Sequence, residues 1–233
     1  MHLFFTPDLK QDDFRLPEEE SRHCTKVLRL KEGDVVHLVD GRGTFYTARL
    51  SSFTGRQCQV EIIREEKEYG RQPFYIHIAL APTKSMDRLE WFVEKATEIG
   101  IHEISLLQCQ RSERKQVNLD RLEKIAVSAM KQSVKAYQPK INALIPYKFF
   151  LNTTLPKKSF IAHLEEPNRQ SLKEVFSPKD TYCVLIGPEG DFTPAEIEAA
   201  YGQGIRPVTL GSSRLRTETA ALVACHTLHV LQD

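Results

Sequence analysis

Residues 182–186 read Tyr-Cys-Val-Leu-Ile, and they are followed by Gly187-Pro188-Glu189-Gly190, Asp191-Phe192 and Thr193-Pro194-Ala195-Glu196. Five mostly β-favouring, apolar residues without polar alternation predict a strand buried on both faces, as in a parallel sheet. Thr193 as N-cap, Pro194 at the first helical position and Glu196 three residues after the cap predict a capping box. A short loop with two glycines therefore joins a buried strand to a helix. It is either an ordinary turn or a ligand loop at the carboxyl edge of a parallel sheet.

A second junction of the same kind lies further along the chain. Residues 207–210 read as another buried strand, residues 211–219 as its loop, and residues 220–231 as a mostly apolar run. We expect Thr217 to be the N-cap of the last helix, with Glu218 in the first turn, where the helix dipole favours an anion. The two junctions are predicted to form opposite walls of one pocket.

Composition places the chain among ordinary globular proteins. It has 233 residues, 41% of them hydrophobic and 27% charged, which suffices for one large or two modest domains. The net charge of +1 gives no general attraction to nucleic acid, so a site for a polyanion has to come from local clusters.

The cysteines and the N-terminus indicate a cytoplasmic protein. The five cysteines are scattered and form no CxxC pair, which is typical of buried thiols in a reducing compartment. The first residues lack the basic flank of a signal peptide, and no apolar run has the length of a membrane span. We therefore expect cytoplasmic localisation, no membrane association and no metal site.

The pattern of hydrophobic residues changes near residue 73. Before it, residues 16–30 predict a short helix, and residues 35–39, 44–50 and 57–63 predict strands joined by the turns 40–43 and 54–57. These strands indicate a small antiparallel sheet or barrel.

After residue 73, helical and strand periods alternate. Strands are predicted at residues 74–81, 103–109, 159–164, 182–186 and 207–210, and helices begin after the candidate caps Ser85 and Asn118. This alternation favours a mostly parallel α/β sheet. The predicted domains are 1–70 and 73–233.

Candidate functional side chains outside the glycine loops are cationic. One group lies on the first predicted helix, a second follows the strand at residues 103–109, and a third is expected along the next helix: Arg22, Lys26 and Arg29; Arg111, Arg114 and Lys115; Arg121, Lys124, Lys131 and Lys135. They either bind phosphates or simply solvate the helix faces. Arg214 and Arg216 lie inside a candidate ligand loop, where a long cation needs a partner or a polyanion.

Several alternatives lack their sequence signals. The histidines His163, His226 and His229 lie in apolar segments and read as structural residues. No GxxxxGK[ST] motif is present, and no GxGxxG motif follows the first strand of the α/β domain. The sequence therefore does not support a mononucleotide P-loop or a dinucleotide-binding fold.

The ordered motifs resemble those of the RsmE family of bacterial 16S rRNA methyltransferases. The likeness rests first on residues 186–190 with Phe192 and Glu196, and then on residues 210–211 and 215–220. Residues 23–29 with Gly33-Asp34 look like the N-terminal module of that family. Residues 95–100 with Arg111-Ser112 look like its first α/β segment.

The resemblance implies a fold and a reaction. The fold is an N-terminal PUA-like β-barrel that binds RNA, followed by a SPOUT α/β domain with a parallel sheet and a trefoil knot. The reaction is methyl transfer from S-adenosylmethionine to N3 of a uridine in 16S rRNA of the small ribosomal subunit, catalysed by a homodimer.

The predicted site residues fall into three sets, of which the cofactor set is implied by the resemblance and the RNA-binding set comes from the clusters of cations. The cofactor set is Leu164, Ile186, Gly187, Pro188, Glu189, Gly190, Leu210, Gly211, Leu215, Arg216, Thr219 and Ala220. The RNA-binding set is Arg22, Lys26, Arg29, Arg111, Arg114, Lys131 and Lys135. The catalytic set is Arg216 and Glu218. Arg216 would stabilise charge on the uracil oxygens or hold a phosphate, and Glu218 is an alternative to a backbone or solvent route for the N3 proton.

Two positions depart from the family pattern, and two other functions stay open. Asp191 stands where the family usually has a second glycine, and Lys135 where an arginine is usual. The alternatives are a non-catalytic RNA-binding protein on a SPOUT-like scaffold, and a methyltransferase that acts on another RNA.

Overall fold

The computed structural model describes residues 1–9, 14–54, 57–165 and 169–232. They form two compact units, one of Met1–Arg71 with Val127–Gln138 and the other of Gln72–Ala126 with Pro139–Asp233. The turn predicted at residues 54–57 falls in part on Gly55 and Arg56, which lie outside the described residues.

The N-terminal unit contains a four-stranded sheet. Its strands follow one another in space as in the chain: β1 Leu3–Phe5, β2 Val35–Val39, β3 Phe45–Thr54 and β4 Gln57–Glu66. β1 is parallel to β2, and β2, β3 and β4 are antiparallel. Phe4, Leu38, Ala48 and Val60 pack into one core of this unit. The three predicted strands are confirmed, and β1 was not predicted.

The predicted helix at residues 16–30 is wrong in its second half. α1 spans Glu18–Arg22 and continues as a π-helical turn, His23–Val27. The amide of Leu28 donates to the carbonyl of His23 at 3.0 Å, which widens the turn by one residue. Arg29 lies beyond the turn with φ 55°. Since the helical spacing is broken, Arg22, Lys26 and Arg29 do not form one helical stripe.

The C-terminal unit is built on a seven-stranded sheet. Its strands are β5 Tyr75–Leu80, β6 Glu103–Gln108, β7 Lys140–Pro146, β8 Lys158–Ala162, β9 Gln170–Ser171, β10 Thr181–Ile186 and β11 Arg206–Thr209. Their order is β7-β6-β5-β10-β8-β11-β9, and all neighbours pair in parallel. The predicted parallel sheet is confirmed, whereas β7 and β9 were not predicted and the trefoil knot stays a prediction.

In the described part of the chain, six helices follow the strands of this sheet: α2 Met86–Ile99, α3 Leu119–Gln132, α4 Tyr147–Leu151, α5 Leu172–Val175, α6 Pro194–Gly202 and α7 Thr217–Val230. The Asn118 side chain accepts from the amide of Arg121 at 3.1 Å, which confirms the predicted cap of α3. Because α3 ends at Gln132, Lys135 does not extend the helical row of cations that the sequence predicted.

Both faces of the sheet are covered. Ile78 of β5 packs in a core with Phe92 of α2 and Leu228 of α7. The next residue, Ala79, packs in a second core with Phe150 of α4 and Ile197 of α6. Two-sided burial explains why the strands lack polar alternation. Since all seven strands are parallel, their carboxyl ends, and the loops that follow them, lie along one edge.

Candidate functional site

A cavity of about 340 Å³ lies at the carboxyl ends of β8, β10 and β11. Three loops line it: the segment after β8 with Leu164 and Arg169, the loop after β10 with Gly187, and the loop after β11 with Gly211. Both predicted glycine junctions thus face one cavity, at the edge of the sheet where open α/β folds bind ligands.

The loop after β10 is shaped by close packing around Gly187. A Cβ atom at this position would lie 3.0 Å from the Phe192 ring and 3.1 Å from the Phe192 amide nitrogen. Phe192 is fully buried, so it would have to shift by a few tenths of an ångström inside the core to admit a Cβ atom. Glycine lets the backbone pass beside Phe192 without that shift.

Glu196 holds the start of α6 and also fastens a neighbouring loop. Its Oε2 accepts from the Thr193 amide at 2.9 Å, and the Thr193 hydroxyl accepts from the Glu196 amide at 3.3 Å, which confirms the predicted capping box. Its Oε1 accepts from the amide of Gln110 at 2.8 Å. One carboxylate thus joins the cavity loop to the segment after β6.

Asp191 joins two of the loops that line the cavity. Its Oδ2 accepts from the Leu164 amide at 2.9 Å, and its Oδ1 accepts from the Phe192 amide at 2.8 Å. The backbone of Asp191 is left-handed, with φ 62°. Glycine takes this conformation at the least cost, and aspartate tolerates it better than most residues. The carboxylate thus adds a tie that glycine cannot supply.

Thr217 joins the loop after β11 to the loop after β10. Its predicted role as N-cap is wrong. Arg216 occupies the N-cap position without a side-chain cap, and Thr217 is the first residue of α7. The hydroxyl of Thr217 is buried and donates to the carbonyl oxygen of Gly187 at 3.0 Å. The hydroxyl therefore serves the contact between the two glycine loops instead of the helix end.

Most of the predicted cofactor residues lie around this cavity. Those on its wall are Leu164, Ile186, Gly187, Pro188, Glu189, Leu210, Gly211, Leu215, Arg216 and Ala220. Gly190 and Thr219 are absent from the wall, and a Cβ atom at Gly190 would instead meet the Arg111 side chain at 3.4 Å. Arg169, Asp191 and Thr217 line the cavity as well, although they are not among the predicted cofactor residues.

The two predicted catalytic residues have different surroundings. Arg216 is exposed and lines the cavity. Glu218 is buried, and its Oε1 lies 3.8 Å from Nε of Arg88. Its Oε2 has no hydrogen-bond partner among the described residues, and Glu218 is not part of the cavity wall. The structure thus directs the two side chains to different places.

Two of the predicted RNA-binding arginines donate to backbone carbonyls of neighbouring loops. Arg111 donates from Nη1 to the carbonyl oxygen of Gly190 at 2.7 Å. Arg114 donates from Nε to the carbonyl oxygen of Thr83 at 3.0 Å and from Nη2 to that of Lys84. Their guanidinium groups are fixed in place, and each retains other N–H donors.

The remaining predicted RNA-binding residues lie in the N-terminal unit. Arg22, Lys26 and Arg29 are exposed. Lys131 donates to the largely buried carboxylate of Glu20 at 2.5 Å, so this charge already has a partner. Burial lowers the pKa of Lys135, because the charged ammonium is poorly hydrated there. The exposed arginines and Lys26 are therefore the more accessible cations of this set.

The loop after β10 also contacts the segment after β5. Glu189 accepts at Oε1 from the Lys84 amide at 2.9 Å, and the Lys84 ammonium lies 2.9 Å from Glu113. His163 is buried, with Nε2 2.8 Å from the Tyr201 hydroxyl, which agrees with its structural interpretation.

Comparison with known protein families covers nearly the whole chain. Residues 70–229 match the model of an RNA methyltransferase domain, and residues 16–63 match that of an RNA methyltransferase PUA domain. Among the helices of the four described ranges, none is long and apolar enough to cross a membrane.

Individual relatives agree with these matches. Ribosomal RNA small subunit methyltransferase E of Mesomycoplasma hyopneumoniae is 30% identical, over 95% of this chain and 96% of its own. The Bacillus subtilis protein of the same name is 29% identical, over 91% of this chain and 87% of its own.

Solved structures show the same similarity in three dimensions. A probable rRNA-methyltransferase from Porphyromonas gingivalis has a TM-score of 0.93 at 42% identity and covers 100% of this chain and 98% of its own. Ribosomal RNA small subunit methyltransferase E from Neisseria gonorrhoeae, bound to S-adenosyl methionine, has a TM-score of 0.87 at 28% identity. The match covers 99% of this chain and 98% of that protein's chain. The chain belongs to the RsmE family of RNA methyltransferases, with a PUA domain and a methyltransferase domain.

Proposed function

We propose that the protein transfers a methyl group from S-adenosylmethionine to N3 of a uridine in the 16S rRNA of the small ribosomal subunit. The observation that supports this most is the single cavity at the sheet edge that both glycine loops line. The relative from Neisseria gonorrhoeae, which is similar along 99% of this chain, was solved with S-adenosyl methionine bound.

The chemistry of the cavity wall fits this cofactor. Ile186, Leu210, Leu215 and Ala220 provide apolar surface of the kind that an adenine ring needs. Gly211 has φ 127°, a conformation in which side chains are strained, and it leaves its backbone accessible. The volume of about 340 Å³ lies within the range of small-molecule sites. When bound, the cofactor supplies an electrophilic sulfonium methyl group.

Arg216 is the catalytic residue of this proposal. A uracil that loses its N3 proton gains negative charge on its two carbonyl oxygens. The guanidinium of Arg216 is exposed at the cavity and offers several N–H donors to such an oxygen or to a phosphate. We keep Glu218 as the second catalytic candidate, although its carboxylate faces Arg88 rather than the cavity.

The domain roles follow the two family models. We propose that residues 1–70 form the RNA-binding domain, with the exposed Arg22, Lys26 and Arg29 in contact with phosphates. Residues 73–233 form the methyltransferase domain, whose Arg111 and Arg114 lie near the cavity. Lys131 and Lys135 complete the proposed RNA-binding set, and a trefoil knot completes the proposed fold.

We further propose a homodimer in the cytoplasm. The support for a dimer is that Trp91 of α2 and Val230 of α7 are exposed by 42% and 51% on two helices that pack together. The five cysteines are free and buried, in agreement with a reducing compartment.

Methylation of defined RNA tests the reaction. The purified protein, radiolabelled S-adenosylmethionine and small subunits from a strain that lacks the corresponding gene should give label in 16S rRNA. Reverse transcription should then stop at one uridine, because a methyl group on N3 blocks base pairing. An Arg216→Ala variant should lose roughly 100-fold in rate, the usual effect of removing one donor to a developing oxyanion.

The same assay separates the alternatives. A folded protein that gives no heat with S-adenosylmethionine in calorimetry would be an RNA-binding scaffold. A protein that labels another RNA and leaves 16S rRNA unlabelled would have a different substrate. Labelling of 16S rRNA without a stop at a uridine would show that the methylated atom is not N3.

A further inference from the structure

Three arginines line the cavity, and the charges around them are unbalanced. Arg169, Arg214 and Arg216 have no ion-pair partner among the described residues. The two acids on the wall, Glu189 and Asp191, accept hydrogen bonds from the backbone amides of Lys84, Leu164 and Phe192. The cavity therefore presents positive charge that the described chain does not neutralise.

Arg169 differs from the other two arginines in burial. Its side chain is half-buried, and its Nε is fully buried without a hydrogen-bond partner among the described residues. Arg214 and Arg216 are exposed. A buried N–H donor without an acceptor is costly, which indicates that an acceptor enters the cavity with a ligand.

The backbone at Arg169 is held on its C-terminal side. The next residue, Gln170, pairs with Val208 of β11, and Ser171 forms a capping box with Glu174 at the start of α5. Arg169, which lines the cavity, thus directly precedes an anchored strand.

We infer that Arg169 binds the α-carboxylate of the methionine part of the cofactor, an assignment that rests on the proposed function. A carboxylate is the anionic group of this cofactor, and the planar guanidinium fork matches its two oxygens. The exposed Arg214 and Arg216 are left for the RNA, whose phosphates and uracil approach from solvent.

The test compares two ligands that differ in this group. S-adenosylhomocysteine carries the α-carboxylate, and 5′-methylthioadenosine lacks the whole amino acid end. In calorimetry, Arg169→Gln should weaken binding of S-adenosylhomocysteine by about 10- to 100-fold, the usual effect of a lost charged hydrogen bond. Its affinity for methylthioadenosine should stay within about twofold of the unmodified protein.

Two further variants sharpen the comparison. Arg169→Lys keeps the charge but loses the fork, so its affinity for S-adenosylhomocysteine should lie between those of the unmodified protein and the glutamine variant. Lys173→Gln removes an exposed cation of α5 that is not part of the cavity wall, and both affinities should be unchanged.

Four outcomes would overturn the inference. Equal losses for both ligands would make Arg169 a structural residue, and no loss for either would remove it from the cofactor site. Unchanged cofactor affinity with weaker RNA binding would assign it to RNA. If the folded, unmodified protein binds neither ligand, the proposed function fails, and this assignment fails with it.

Discussion

Replacing Thr217 with valine tests whether the two glycine loops depend on each other. Valine has nearly the shape of threonine but no hydroxyl, so the change removes the 3.0 Å hydrogen bond to the Gly187 carbonyl and little else. The bond is buried, since Thr217 is 5% exposed. The carbonyl oxygen would lose this buried donor.

The magnitude follows from that burial. Leaving a buried acceptor without its donor costs about 1–3 kcal/mol, and we expect about 2 kcal/mol here. For a chain of 233 residues, each kcal/mol lowers Tm by about 2–4 °C, so Tm should fall by roughly 4–8 °C. Because both loops line the cavity, affinity for S-adenosylhomocysteine should fall by about 3- to 10-fold.

Scanning calorimetry and titration calorimetry measure the two effects. Thr97→Val is the matched control, because Thr97 is equally buried and its hydroxyl donates to the Val93 carbonyl inside α2. This control should lower Tm without changing cofactor affinity. The reasoning is refuted if Thr217→Val leaves both Tm and the affinity for S-adenosylhomocysteine unchanged. It is also refuted if Thr97→Val lowers that affinity to the same degree.

Three further predictions concern the cavity loops and the sheet. Asp191→Gly keeps the left-handed backbone but removes the tie to the loop after β8, so the cofactor Kd should rise about 5-fold; an unchanged Kd would make the tie irrelevant. Gly187→Ala should reduce cofactor affinity about 10-fold, because the added Cβ would press on Phe192 at 3.0 Å. Gly190→Ala, whose Cβ would make ordinary contacts, should bind the cofactor with unchanged affinity. Equal cofactor affinities of the two variants would show that the cavity is not the cofactor site. Burial lowers the pKa of His102 to about 4, so the unfolded chain takes up a proton at a higher pH than the folded chain, and stability should fall as pH drops from about 6.5 to 4. In urea unfolding, His102→Asn should show a flatter dependence of stability on pH. An identical dependence would show that His102 does not cause the loss of stability.

Features that depend on neighbouring residues in the chain could be predicted from the sequence. The strand before Gly187 and the capping box of Thr193 and Glu196 are such features, because burial on both faces and helix capping leave a local pattern. The same holds for the cap of α3 at Asn118. For this reason the sequence predicts the sheet class and the two glycine junctions.

Features that depend on distant residues could not be predicted in this way. Thr217 looked like a cap, and only the fold shows that its hydroxyl reaches Gly187, thirty positions earlier. Arg169 lines the cavity because β8, β11 and β9 lie side by side, and Asp191 reaches the Leu164 amide because β10 lies beside β8. The sequence order does not reveal these neighbours. The strands β7 and β9 were missed because one is interrupted by polar residues and the other has two residues.

The prediction of the first helix was wrong in its second half for another reason. Pro17 and the acids after it gave the correct start, but nothing in residues 23–27 signals a π-helical turn. Since the row of cations was inferred from regular α-helical spacing, one extra residue in the turn was enough to displace Arg29.

The double use of the Glu196 carboxylate has a consequence for protein engineering. One oxygen accepts from the Thr193 amide at the helix start, and the other accepts from the Gln110 amide. Residues 187–196 therefore cannot be transferred to another protein independently of the segment after β6. A chimera that takes this stretch from one relative and the segment after β6 from another has to keep a backbone donor in register with residue 110. Without it, we expect the transplanted loop to form its helix but to lose its orientation toward the cavity.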